Sequence, residues 1–234
     1  MGIHQAVIGS YVASAGSSNP TWTLVDSEFK QSVGASFSVD NVQTGDFLYW
    51  TQAGDQSSGS IPTLTGWSDT FADTDNTPDF KEQYRVATSN EGTVTVTSES
   101  DTESGGLMLF RCSTGTTSID ANASALSEGS SGNPVVPSAN TSNNGTSEAY
   151  SLCVVSGYLD DDQVSTASCT GLTVAGVANG SRSGGFFQTY RSSLMVGYAV
   201  IPNAGTTAPA GAGNTWVTSG SDQWNSTAWY IRPS

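Results

Sequence analysis

Strict period-two alternation constrains this chain more than any other feature: Thr93-Val94-Thr95-Val96-Thr97 puts valines on one face and threonines on the other. Only an extended strand, whose side chains point alternately up and down, turns that pattern into one apolar and one wet face. β-Branched Thr and Val also suit a pleated surface better than a helix. Similar short runs read as strands at Ala6–Ala13, Trp22–Asp26, Phe47–Thr51, Phe80–Ala87, Leu107–Cys112, Ala149–Ser156, Leu172–Ala178, Gly185–Arg191, Leu194–Ile201 and Thr227–Ile231. Turn-forming clusters separate them, among them Asn90-Glu91-Gly92, Ser104-Gly105-Gly106, Asn143-Asn144-Gly145 and Asn179-Gly180, because Gly and Asn tolerate the backbone of tight turns. Asp120–Glu128 is the best candidate for a helix. The expected fold is all-β: a single jelly-roll or lectin-like β-sandwich of roughly a dozen short antiparallel strands joined by long Gly/Ser/Asn loops. One domain over residues 1–234 is expected, since composition does not shift across the loops Gln52–Pro62, Ser127–Gly145 and Ala204–Asn214.

Composition excludes several function classes. Seven Lys+Arg stand against 21 Asp+Glu, a formal charge of −14. The few cations are scattered, whereas a nucleic-acid backbone binder needs them clustered to displace counterions. No window approaches the roughly 20 apolar residues of a membrane-spanning helix. Eight Phe, eight Tyr and six Trp still provide enough apolar surface to offset the entropy of ordering. The opening Met-Gly-Ile-His has no basic region followed by an apolar core, so no secretory signal is read. Cys112, Cys153 and Cys169 are therefore expected as thiols in a chain folded in a reducing cytoplasm. The Asn-x-Ser/Thr matches at Asn122, Asn140, Asn144, Asn179 and Asn225 read as coincidence in so Ser/Thr-rich a chain.

Few residues suggest chemistry. His4 is the single histidine, and any Ser-His-Asp or multi-histidine zinc site would have to recruit it. Glu99-Ser100-Asp101-Thr102-Glu103 has the spacing that lines acids along one strand face. Such a row resembles the motif of laminarinase-like glycosidases, in which one Glu is nucleophile and another acid/base. The intervening Ser and Thr and the Ser104-Gly105-Gly106 that follows favour a solvated hairpin tip. Asp73, Asp75 and Asp79 form an oxygen-rich run that could take Ca²⁺, but Pro78 and Tyr84 occupy the positions where an EF-hand needs Gly and Glu. Asp160-Asp161-Asp162 is a second acidic cluster, comfortable when solvated or holding a cation. Trp67 and Trp229 read as structural, while Trp216 and Trp224, flanking the loop Thr218–Gln223, are the exposed candidates for contact with a glycan. No catalytic residue, cofactor or firm metal site is assigned.

Several segments, in order, resemble virion structural proteins of tailed bacteriophages, a highly divergent group. Val42-Gln43-Thr44-Gly45-Asp46-Phe47-Leu48 looks like a Gly-Asp turn leading into an apolar strand, and Gly66-Trp67-Ser68-Asp69-Thr70 like the glycine-tryptophan turn that follows. Glu82-Gln83-Tyr84-Arg85-Val86-Ala87 is similar to a strand usually reading tyrosine-arginine-x-alanine, after which comes Val94–Ser98. Leu107-Met108-Leu109-Phe110-Arg111 resembles the next strand, with Cys112 standing where relatives have glycine. Ile119-Asp120-Ala121, Pro137–Thr141, a strand ending near Asp160-Asp161 and the closing Thr227–Pro233 complete the pattern over roughly residues 40–233.

The resemblance implies a non-enzymatic β-sandwich displayed on a phage head or tail, with capsid decoration favoured. The chain would be assembled into virions in the host bacterial cytoplasm as a trimer or dimer, with the major capsid protein or tail proteins as partners. No nucleic-acid or membrane partner is expected. An acidic, low-lysine surface suits that role because it does not adhere to host nucleic acid. Modest contact patches repeated by symmetry would hold it to the particle. Met1–Ser18, preceding the resembling core, is the expected attachment arm or first strand. Two alternatives stand beside this one. One is a carbohydrate- or receptor-binding β-sandwich that meets a host-surface glycan through Trp216 and Trp224. The other, more remote, is a glycosidase using Glu99 and Glu103.

Overall fold

The computed structural model describes residues 19–31, 34–54, 61–73, 79–99, 103–137, 150–160, 166–178, 192–201, 211–218 and 222–234. Among them are twelve β-strands: β1 (Trp22–Lys30), β2 (Ser36–Val42), β3 (Phe47–Gly54), β4 (Ser68–Asp73), β5 (Asp79–Val86), β6 (Gly92–Thr97), β7 (Ser104–Cys112), β8 (Thr116–Gly129), β9 (Leu152–Leu159), β10 (Thr173–Ala178), β11 (Ser193–Val200) and β12 (Trp224–Pro233). The described residues contain no helix, so the protein is all-β, as the alternation implies.

Two five-stranded antiparallel sheets, β1-β7-β3-β5-β4 and β10-β11-β9-β12-β8, form a sandwich. A two-stranded sheet, β2-β6, makes a further layer. Each five-stranded sheet draws its described strands from one half of the chain, and this strand order does not display jelly-roll wiring.

Layering explains why the central strands lack polar faces. In β3, Phe47, Tyr49 and Ala53 face the second sheet, while Leu48 and Trp50 face β2-β6. In β9, Leu152, Val154 and Tyr158 face the first sheet, while Cys153, Val155 and Leu159 face outward under a covering layer. That layer is irregular chain from 134–137, 166–172 and 211–217, tied by bridges Val135–Thr215 and Ser168–Val217. Both β3 and β9 are therefore buried at every residue, as strands sandwiched on both faces must be. The β2-β6 layer is one-sided. Phe37, Val39, Val94 and Val96 point in, and its outer face is a hydroxyl ladder of Ser36 with Thr97 and Ser38 with Thr95.

Most anticipated strands are present, with altered bounds. Those expected at Ala6–Ala13 and Gly185–Arg191 lie outside the described residues. Asp120–Glu128 is a correction: it lies in β8, where Ala125 to Gly129 pair in register with Ala228 to Trp224. Its alanines favour a helix locally, but ladder pairing with β12 decides the outcome. The acidic row is a second correction. It does not tip a hairpin, because β6 and β7, which flank it, belong to different sheets.

Register breaks are confined to particular places. The pairings of the central strands, β3 with β5 and β7 and β9 with β11 and β12, run without a shift. Each pairing of an outermost strand of a five-stranded sheet, β1, β4, β8 or β10, carries at least one.

Candidate functional site

Among the described residues, those singled out in the sequence do not converge. Glu99 donates its amide to Gln52 Oε1 at 3.4 Å, on the β2-β6 side of the first sheet. Glu103 reaches the opposite way, its Oε2 accepting the Ser192 amide at 2.9 Å beside the second sheet. Asp73 closes β4 and Asp79 opens β5, while Asp75 lies outside the described residues, as do His4, Asp161 and Asp162. Asp160 is buried and donates its amide to Gln223 O at 2.8 Å. Among the described residues no group of three His, Cys, Asp or Glu is placed to hold a metal ion.

The two tryptophans expected at the surface are interior, which corrects that expectation. Trp216 is 0% exposed and Trp224 7%. Strand glycines make room for both rings. A Cβ on Gly157 would lie 2.8 Å from the Trp216 indole nitrogen, and one on Gly129 2.4 Å from the Trp224 ring. Neither ring face is open to a sugar. Trp229 is fully buried, as expected, and Trp67 is half-buried under the Arg85 guanidinium, 5.4 Å from its ring. Cys112, Cys153 and Cys169 are buried thiols.

Two polar constellations stand out instead. The first gathers residues from several of the ordered landmarks at one end of the first sheet. Asp46, buried at the turn before β3, accepts the Gln43 amide at 2.8 Å. It also takes a two-pronged contact from Arg111, with Nε to Oδ1 at 2.8 Å and Nη2 to Oδ2 at 2.7 Å. Asp46 raises the Arg111 guanidinium above its ordinary value, against the opposing effect of burial. Arg111 Nη2 also donates to Asn41 O at 2.7 Å, where Asn41 adopts a left-handed φ of 64° beside the β2 bulge. Ala87 binds the same turn from the other side: Gly45 N donates to Ala87 O, and Ala87 N to Asp46 O, each at 2.8 Å. Arg85 pairs with Glu91 through two bonds, at 2.8 and 2.6 Å, while its guanidinium covers Trp67.

The second constellation lies between the five-stranded sheets and was not foreseen. Glu82 is fully buried. Its Oε1 accepts hydroxyls from Tyr49 at 2.6 Å, Tyr158 at 2.6 Å and Thr227 at 2.7 Å. Behind these, Ser156 Oγ meets Tyr49 OH at 2.5 Å, and Thr51 meets Tyr158 OH. Four strands, β3, β5, β9 and β12, thus meet at one carboxyl. Burial raises its pKa, opposed by the hydroxyls of Tyr158, Tyr49, Thr227 and Ser156. Burial also raises both tyrosines well above their ordinary value, with the Glu82 charge second, so they remain donors at ordinary pH. The signal was present in the sequence: alternation through Phe80, Glu82, Tyr84 and Val86 places a carboxylate on the apolar face of β5.

Four cations among the described residues are held in ion pairs. Lys30 pairs with Glu28, Lys81 with Asp69, Arg85 with Glu91 and Arg111 with Asp46. Such pairs brace local structure.

No family model matches the chain, and no curated protein or solved structure matches it.

Proposed function

We propose that this chain is a non-enzymatic structural component of a tailed-phage virion, a capsid decoration protein displayed on the particle surface. One observation carries the reading. The ordered landmarks are far apart in sequence, yet Asp46, Trp67, Arg85, Ala87 and Arg111 meet in two adjoining clusters at one end of the first sheet. A pattern scattered by chance over the chain has no reason to supply the two sides of the same ion pair and the same turn. The packing together of landmarks that lie far apart in sequence supports the resemblance on which the function rests.

The role follows from the body's construction. Layered cores build a slab, and a formal charge of −14 makes the chain acidic. A decoration protein would attach by modest patches, multiplied over symmetric copies, to the major capsid protein. Tail proteins are the other partners such a slab could meet in the same particle.

The test is protein analysis of gradient-purified particles from the source of this chain. Peptides of the chain at many copies per particle are the expected result. Particles that carry infectivity but none of the chain would overturn the assignment.

A further inference from the structure

We propose that Asp26, Glu28 and Lys30 of β1 are a guard on the edge of β2, holding closed a seat that fits β2 of a second copy of this chain. The inference is independent of any role in a virion.

The register carries it. β2 has a ladder partner, β6, on one side only. Along its other side, side chains rising from β1 take the backbone groups of alternate residues. Lys30 Nζ donates to Ser36 O at 2.6 Å, Glu28 Oε2 accepts the Ser38 amide at 2.7 Å, and Asp26 Oδ2 accepts the Asp40 amide at 2.8 Å. Lys30 and Glu28 brace each other at 2.7 Å, and Lys30 lies over the Phe37 ring, 5.4 Å from its centre. Groups at every second residue along one edge are those to which an antiparallel strand bonds. The Lys30 donor thus stands where a neighbouring amide would, and the two carboxylate oxygens where two carbonyls would.

β2 itself is shaped for pairing. Ser36 to Val39 run against β6 without a shift, Phe37 and Val39 are buried, and Ser36, Ser38 and Asp40 are exposed. The strand carries no Pro, Lys or Arg of its own, residues that commonly blunt an edge. A two-fold axis through Ser38 would set Ser36 of one copy opposite Asp40 of the other, and Phe37 opposite Val39. The groups that the guard now holds would then find backbone partners: each Asp40 amide meets a Ser36 carbonyl, and each Ser38 amide the other Ser38 carbonyl. Wet face continues wet face, apolar continues apolar, and no like charges stand directly opposite. Such a contact is isologous and closes at two copies. A strand can enter it only by displacing the three β1 side chains.

Sedimentation equilibrium of the full chain, wild type against Asp26→Ala/Glu28→Ala/Lys30→Ala, tests the guard. The triple substitution changes the formal charge by one unit, so altered repulsion does not account for an altered mass. The mass of this variant should rise with concentration toward twice that of the wild type. Adding Ser38→Pro, which deletes the amide at the centre of the seat, should restore the wild-type mass. Near-ultraviolet circular dichroism like that of the wild type marks the folded preparations to compare. Glu28→Ala/Lys30→Ala, which keeps Asp26, gives the same two readings if the triple variant does not fold. A folded, unguarded chain that keeps the wild-type mass at every concentration would overturn the proposal. So would a rise in mass that persists with Ser38→Pro, since it would come from another surface.

Discussion

Asp46 shows how one side chain can fix several others. Its carboxylate is 2% exposed, and Arg111, 32% exposed, screens it from water. Removing Arg111 leaves a nearly buried anion with only the Gln43 amide bond among those described above. Arg111→Ala should cost about 2 kcal/mol, since hydrogen bonds to charged groups contribute more than neutral ones. A denaturation midpoint unchanged from wild type would contradict that account. Space, not charge, governs Phe29, whose ring fills the gap left by two glycines. A Cβ on Gly176 would lie 2.3 Å from the ring and one on Gly106 2.5 Å. Gly176→Ala should therefore destabilise by about 1–3 kcal/mol, and should do so far less in a Phe29→Ala background, a coupling that a double-mutant cycle measures. Trp216 belongs to the same class. Its truncation to alanine should cost about 3–5 kcal/mol as a core cavity. A near-neutral Trp216→Ala would mean that the ring is not in the core.

Between elements, β1 holds the open edge of β2 with side chains instead of a ladder. Lys30 Nζ donates to Ser36 O at 2.6 Å, Glu28 Oε2 accepts the Ser38 amide at 2.7 Å, and Asp26 Oδ2 accepts the Asp40 amide at 2.8 Å. Residues two apart on β1 thus serve residues two apart on β2, running antiparallel. Glu28 lies below its ordinary value: its burial acts upward, but Lys30 and the Ser38 amide outweigh it. Its contribution is therefore present above the ordinary carboxyl value and lost as pH falls through the lowered one. Amide exchange at Ser38 should quicken in Glu28→Ala at neutral pH, and unchanged protection would refute the bond.

The same strands show what was legible in the sequence. Alternation gave β6 away because one face is wet, yet β2, with Ser36-Phe37-Ser38-Val39-Asp40 in the same rhythm, went unread. β8 was hidden by its composition, because its alanines say little about which partner strand will claim them. Trp216 and Trp224 were misplaced for another reason. The slots that swallow them are made by Gly129, Gly157 and Gly197, on strands remote in sequence. Glu82 was hidden in plain alternation. Only its position on the face shared with Phe80 and Tyr84 marks it as buried, and that face is assigned by the second sheet.

On the scale of the molecule, stacked layers and interrupted edges set how the body can meet others. Every outermost strand of the two five-stranded sheets carries a register shift in its pairing, and shifts of this kind twist an edge away from a flat template. Neighbours should therefore contact faces and loops, with no strand of one copy extending the sheet of another. A reconstruction of the purified particle by electron microscopy tests the central claim most directly. The account predicts density for two stacked five-stranded sheets at symmetry-repeated positions on the shell, each sheet ending at its own edge strands. A complete shell and tail with no position that accommodates this slab would contradict it.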